Sequence, residues 1–403
     1  MDLTLRNATL PCGQHCDIGV ADGRIAALRP GLPPGARDID VAGRLVSPGL
    51  VETHIHLDKA CILDRCKGDG TLSAAIAEVS RLKADFTEED VTARADRALR
   101  KCIPNGTMHM RTHVEVDPVI GLRGLAGVRA AAARWAHAID IEICVFPQEG
   151  LLNNPGTEAL MREALSSGAA QVVGAAPYVD SDPHGQIDRV FAMARDFDVD
   201  IDMHLDFAED TSVLELEHVC RRTREYGWGG RVAIGHVSKL AYLPPPRLEA
   251  AIRTLAEAGV AVTVLPSTDL FLMGRGHDCA APRGVAPAHR LRAAGITCSL
   301  STNNILNPFT PYGDGSLLRM ANLFANVAHI GDPQGLAECL AMVTEQSSRL
   351  MNLPRYGIAE GRPADLVVLD SPTPAMAVAE IAQPMFGFKN GRPTFRHALP
   401  EVF

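Results

Sequence analysis

The sequence predicts an α/β fold: a closed (β/α)8 TIM barrel flanked by a small β-sandwich domain that both chain ends build. Short β-branched apolar runs alternate with stretches of apolar 3.6 periodicity, the pattern of parallel strands joined by helices. Eight such runs can be counted between residues 45 and 301, and eight strands of this kind close a barrel. The chain ends read differently. Residues 1–46 hold short strands around Asp22-Gly23, and the C-terminal segment holds ADLVVLD and Asn390-Gly391. Asp-Gly and Asn-Gly favour two-residue hairpin turns. The expected organisation is a composite β domain from residues 1–46 and 355–403, around a barrel over 47–354.

The strands run through LVSPGLVETHIH near 45–56, MHMRTHVEV near 108–116, IEICVF at 141–146 and QVVGAA at 171–176. VDIDMHL at 199–205, RVAIGH at 231–236, VAVTVL at 260–265 and ITCSLS at 296–301 complete the set. The segment before the second strand illustrates the helices. Thr87 and Asp90 have the spacing of a capping box, which satisfies orphan N–H groups. Val91, Ala95, Ala98, Leu99 and Cys102 then form one apolar stripe. Gly106 can take a left-handed cap before the next strand.

A chain of 403 residues, 46% hydrophobic and 22% charged, suits one large catalytic domain with a small appendage. The formal net charge of -9, with no basic run, argues against a nucleic-acid partner. No apolar stretch reaches the roughly 18 residues of a membrane span. The start MDLTLRNATL lacks the features of a secretory signal, so a cytoplasmic location is expected. The ten cysteines are scattered without a CxxC pair, as reduced packing thiols would be.

Barrel chemistry gathers where strands end. Strand one ends in His54-Ile55-His56, and alternation points residues i and i+2 to the same side. Strand five ends at His204 and strand six at His236. Imidazoles converging in this way suit one divalent metal, zinc or iron. Strand four, QVVGAAPYVD, offers no Lys to bridge a second ion. Other rim candidates are Gln148, Asp206, Lys239, Asp269 and Asn303, with Lys59 and Asn304 close by. Phe271, Phe309 and Tyr312 are either aromatic walls for a flat ring or core. A dinucleotide fingerprint, a P-loop and a nucleophile elbow are absent.

HIHLDK, RTHVEVD, FPQEG, IDMHLD, IGHVSK, NPFTPYGDG and GIAEGRPADLVVLD run along nearly the whole chain. Together they resemble the cytosine deaminase and N-isopropylammelide isopropylaminohydrolase branch of the amidohydrolase superfamily. The resemblance implies a barrel with a flanking β domain, one catalytic zinc or iron, and hydrolysis of a C–N bond of a small nitrogen heterocycle. By position, His54, His56 and His204 would bind metal, Gln148 would bind substrate, and His236 would orient or polarise the attacking water.

Two positions depart from that pattern. Asn303 stands where the family carries an Asp that binds metal and takes a proton, and Phe207 stands where cytosine deaminases carry a Glu. An amide cannot act as a base at neutral pH. The base is therefore open among His236, Asp206 and Asp269, with Lys239 and Asn303 as substrate contacts. A non-hydrolytic lyase or isomerase, or a non-catalytic ligand-binding descendant, is the alternative reading. The expected partner is a small-molecule substrate, and homo-oligomerisation stays open.

Overall fold

The computed structural model describes residues 1–67 and 70–398, so residues 399–403 of the expected C-terminal segment lie outside the described residues. The chain opens with β1 (Leu3–Thr9), β2 (His15–Ala21), β3 (Arg24–Arg29), β4 (Arg37–Asp40) and β5 (Leu45–Pro48). The barrel strands follow as β6 (Leu50–Ile55), β7 (Thr107–Glu115), β8 (Asp140–Phe146) and β9 (Val172–Ala175). They continue as β10 (Asp200–Leu205), β11 (Val232–His236), β12 (Ala261–Val264) and β13 (Cys298–Leu300). Finally β14 (Leu366–Leu369), β15 (Pro384–Lys389) and β16 (Arg392–Arg396) return to the first group.

Strands β6 to β13 lie side by side in sequence order, all parallel, with helices in the connections. The seam between first and last strand is closed by polar groups. Thr53 Oγ1 pairs with Ser299 Oγ and Ser301 Oγ, each at 2.7 Å. The buried Glu52 carboxylate accepts from Thr302 Oγ1 at 2.6 Å. His56 N donates to Asn303 O and Asn303 N to His54 O, both at 2.9 Å. The loop after β13 is thereby tied to the end of β6. The expected (β/α)8 barrel is present.

The two chain ends pair into one hydrogen-bonded sheet, in the order β16-β15-β14-β5-β1-β2-β3 with β4 on β1. Its own apolar core includes Leu5, Ile18, Ile25, Leu366 and Phe388. Asp22-Gly23 and Asn390-Gly391 turn their hairpins with all four φ angles positive, as a type I′ turn requires. One boundary shifts. Leu45–Pro48 pair with β14, so a division after residue 46 falls inside β5. The chain crosses to the barrel at Gly49, where a Cβ would come within 2.6 Å of the Met108 side chain.

The helix Glu88–Cys102 begins as its spacing predicts, with Thr87 Oγ1 accepting from Asp90 N at 3.2 Å. The Asp90 carboxylate binds Arg65 and Arg94. Gly106 has a φ of 92°. All ten cysteines are unpaired, and seven are buried. Among the described residues, no helix is long and apolar enough to cross a membrane.

Candidate active site

Strand ends position the site, and three of them are forced into left-handed backbone. Asp206 after β10, His236 at the end of β11 and Asn303 after β13 have φ of 50°, 67° and 60°. Such conformations cost energy in non-glycine residues and cluster at functional sites.

His54 and His56, from β6 and the residue beyond it, and His204 from β10 are each at most 2% exposed. His204 Nε2 faces His54 Nε2 and His56 Nε2, both at 3.0 Å. Burial, followed by the neighbouring imidazoles for His54 and by Lys59 and then imidazoles for His56, pulls their pKa values well below 6.5. His204 is lowered the same way, by burial and then by His113 and His236. Three neutral rings therefore turn lone pairs toward one point. A proton on His204 can bridge only one of the two contacts well, whereas one cation meets all three lone pairs. The donor set fits a single divalent ion. Asn303, whose buried Oδ1 has no hydrogen-bond partner among the described residues, lines the same pocket.

His236 stands beside these rings, its centroid 5.7 Å from that of His204. Its Nδ1 meets Asp269 Oδ1 at 2.7 Å, and Phe207 stacks on its face at 3.9 Å. Asp269 is fully buried on the short helix Pro266–Leu272. Burial pushes its pKa up, with His236 opposing. Asp269 thus holds His236 in place and does not itself line the pocket.

The opposite wall carries Gln148 and Lys59. Lys59 Nζ pairs with Glu115, donates to Gln148 Oε1 at 3.2 Å, and sits 5.1 and 5.3 Å from the ring centres of Phe146 and Phe309. With that oxygen engaged, the buried Gln148 amide nitrogen lies beside Tyr178 and makes no well-formed hydrogen bond among the described residues. Phe309, Leu72 and Tyr178 complete the walls of the pocket. Phe271 and Tyr312 pack edge to face with each other, and neither lines the pocket.

Like Asp269, two further expected site residues are not brought to the pocket. Asp206 accepts from Glu215 N and Leu216 N, both at 3.0 Å, capping the helix Glu215–Tyr226. Burial, then the Glu215 side chain, pushes its pKa up to about 7. Lys239 Nζ is held by Val213 O at 2.8 Å, Glu215 at 3.0 Å and Asp206 at 3.2 Å. A helix N-terminus needs acceptors for its free N–H groups, and that need claims Asp206. Lys239, a donor only, is held by the carboxylates and the carbonyl gathered there.

The structure also adds residues. Thr268 lines the pocket, beside Asn304, which its place after the last barrel strand had already brought near the rim. His113 stacks on His54 at 3.8 Å, and Asp202 lies beneath both. Asp202 sits two residues before His204 on β10, so strand alternation places it on the same side; that was the available signal. His113 closes Arg111-Thr112-His113, a rim segment whose stacking partner no spacing rule reveals.

A model of the amidohydrolase family matches residues 130–385. N-isopropylammelide isopropyl amidohydrolase of Pseudomonas sp. (strain ADP) is 29% identical over 402 residues, covering 97% of this chain and 96% of that protein. A pterin deaminase of Rhizobium rhizogenes is 30% identical, over 88% of this chain and 82% of its own length. The crystal structure of a 5-methylcytosine deaminase from Klebsiella pneumoniae, liganded with 5-fluorocytosine, superposes with a TM-score of 0.95 at 29% identity, covering 99% of both chains. With the barrel and the gathered imidazoles, these likenesses establish that the chain belongs to the amidohydrolase family and is an enzyme of that hydrolytic class.

Proposed function

We propose that this protein is a metal-dependent hydrolase that cleaves a C–N bond of a small nitrogen heterocycle, with one zinc or iron ion held by His54, His56 and His204. The observation that carries this reading is the meeting of three buried imidazole nitrogens, two of them 3.0 Å from the third, beside one pocket. A divalent ion there would lower the pKa of water and polarise the substrate. The relatives named for aminohydrolysis of N-isopropylammelide and for deamination of pterin and 5-methylcytosine support the substrate class.

The protein's own groups divide the remaining work. Gln148 Nε2 is the donor left over for a ring carbonyl or ring nitrogen. Asn303, an amide, serves as a ligand contact and carries no proton away. Phe207 excludes water from one face of His236. The proton route therefore falls to His236: with Nδ1 held by Asp269, its Nε2 takes a proton from the attacking water and returns it to the leaving nitrogen.

Elemental analysis and a screen of pyrimidines, triazines and cyclic amides for ammonia or amine release in labelled water test the reading. Alanine at His54 or at His204 abolishes both bound metal and turnover. Full metal occupancy in both variants, or a product without solvent oxygen, sinks it.

A further inference from the structure

One face of the three-imidazole cluster is built from groups that never reach the pocket. His54 is clamped between two surfaces: His113 stacks on it at 3.8 Å with planes 23° apart, and Gly235 of β11 lies against its edge. A Cβ at Gly235 would sit 3.2 Å from both Cε1 and Nδ1 of His54. With Nε2 turned toward His204, His54 Nδ1 points toward Asp202, 3.9 Å from Oδ1. The same oxygen lies 3.4 Å from His113 Nε2. Asp202 Oδ2 is taken by Arg111 Nη1 at 2.9 Å, and Arg111 Nε is held by Glu142 at 2.6 Å. Asp202, Arg111, His54 and His113 are all at most 1% exposed.

Buried polar atoms without partners require an explanation. Among the described residues, Asp202 Oδ1, His54 Nδ1 and His113 Nε2 are such atoms, and the carboxylate oxygen is shared between the two rings, 3.9 Å from His54 and 3.4 Å from His113. A carboxylate beside one ring nitrogen favours the tautomer with its proton on that nitrogen, leaving the lone pair on the other. Resting on the functional reading above, we propose that Asp202, anchored through Arg111 and Glu142, is the positioning residue that keeps the His54 proton on Nδ1 and its Nε2 open to a cation. It serves the cation site from the side away from substrate. The chain Glu142–Arg111–Asp202–His54 runs across β8, β7, β10 and β6, so four strands fix one ligand atom.

The test is cation binding to the full chain after removal of bound metal, with Co2+ and Zn2+ as probes. Asp202→Asn binds both about 10–100-fold more weakly than wild type, with the visible absorption of the Co2+ protein shifted. A folded Asp202→Asn with wild-type affinity and an unchanged Co2+ spectrum overturns the proposal. If that variant does not fold, Glu142→Gln decides, because Glu142 is 28% exposed and tolerates change at the outer end of the chain. A shifted Co2+ spectrum with affinity reduced about threefold or more supports the proposal, and an unaltered affinity and spectrum overturn it. Wild-type protein that binds neither ion defeats the functional reading itself. Binding by wild type and variants alike defeats only the role of Asp202.

Discussion

At the scale of single residues, the proposed reaction concentrates its proton traffic on His236, because Phe207 and Asn303 carry no ionisable group. Phe207 stacks on that ring, while Asn303 closes the far side of the pocket. Asp269 gains its role through a single 2.7 Å contact that holds Nδ1 and leaves Nε2 to act. Asp269→Asn keeps the shape but removes the charge that stabilises a protonated imidazole. Its kcat falls by about 10²–10⁴-fold while bound metal stays at the wild-type level. Loss of metal in step with activity would show instead that Asp269 supports the cation site. Much of this was legible beforehand: His54, His56, His204, His236, Gln148 and Asn303 all line or frame one pocket. Asp206 and Lys239 were not separable from them by position, because a carboxylate at a strand end can serve the rim or the next helix equally well. Only the free N–H groups of Glu215 and Leu216 decide between those uses.

At the scale of elements, the strands place the imidazoles and their spacing polices the backing. The His54 ring reaches β11, where a Cβ added at Gly235 would lie 3.2 Å from its Cε1 and Nδ1. Gly235→Ala forces the ring or a strand to shift by a few tenths of an ångström, an overpacking that costs about 1–3 kcal/mol. Urea unfolding of the metal-free protein measures it, and a stability equal to wild type refutes the tight contact. The strand-to-helix alternation made all eight barrel strands readable to within a few residues. The capping of Glu88–Cys102 by Thr87 was also readable, since one side chain and one N–H three residues on suffice. The return bond from Asp90 was not, because Arg65 lies far away in sequence and outcompetes it.

Across the whole molecule, the terminal sheet is fastened to the barrel by an ion network at the far side of β7 and β8. Lys389 Nζ donates to Asp140 and Asp365, each at 2.6 Å, and His109 contacts both carboxylates at 3.2 and 3.3 Å. Burial pulls the His109 pKa down, but hydrogen bonds to Asp140 and Asp365 outweigh it and leave the value above 6.5. Burial pushes Asp140 up, and His109 and Lys389 outweigh it, bringing it to about 2. The sign follows from linkage. A raised histidine contributes stability that is full below 6.5 and lost as pH rises through its folded pKa; a depressed aspartate contributes above 3.8 and loses this as pH falls toward about 2. The network is therefore strongest between those ordinary values. In denaturant titrations, the advantage of wild type over His109→Asn is larger at about pH 5 than at about pH 9. An advantage that is flat or grows with pH contradicts the assignment.

The sequence by itself determined the barrel, its strand order, the joining of the two chain ends and the identity of the converging imidazoles. Those features depend on local periodicity, turn chemistry and strand alternation, which act over a few residues. The tertiary structure alone decided which polar groups face the pocket, which cap helices, and which stand behind the rings. Such roles are set by competition among neighbours distant in the chain, as when Asp202 and Arg111, 91 positions apart, meet at 2.9 Å beneath His54.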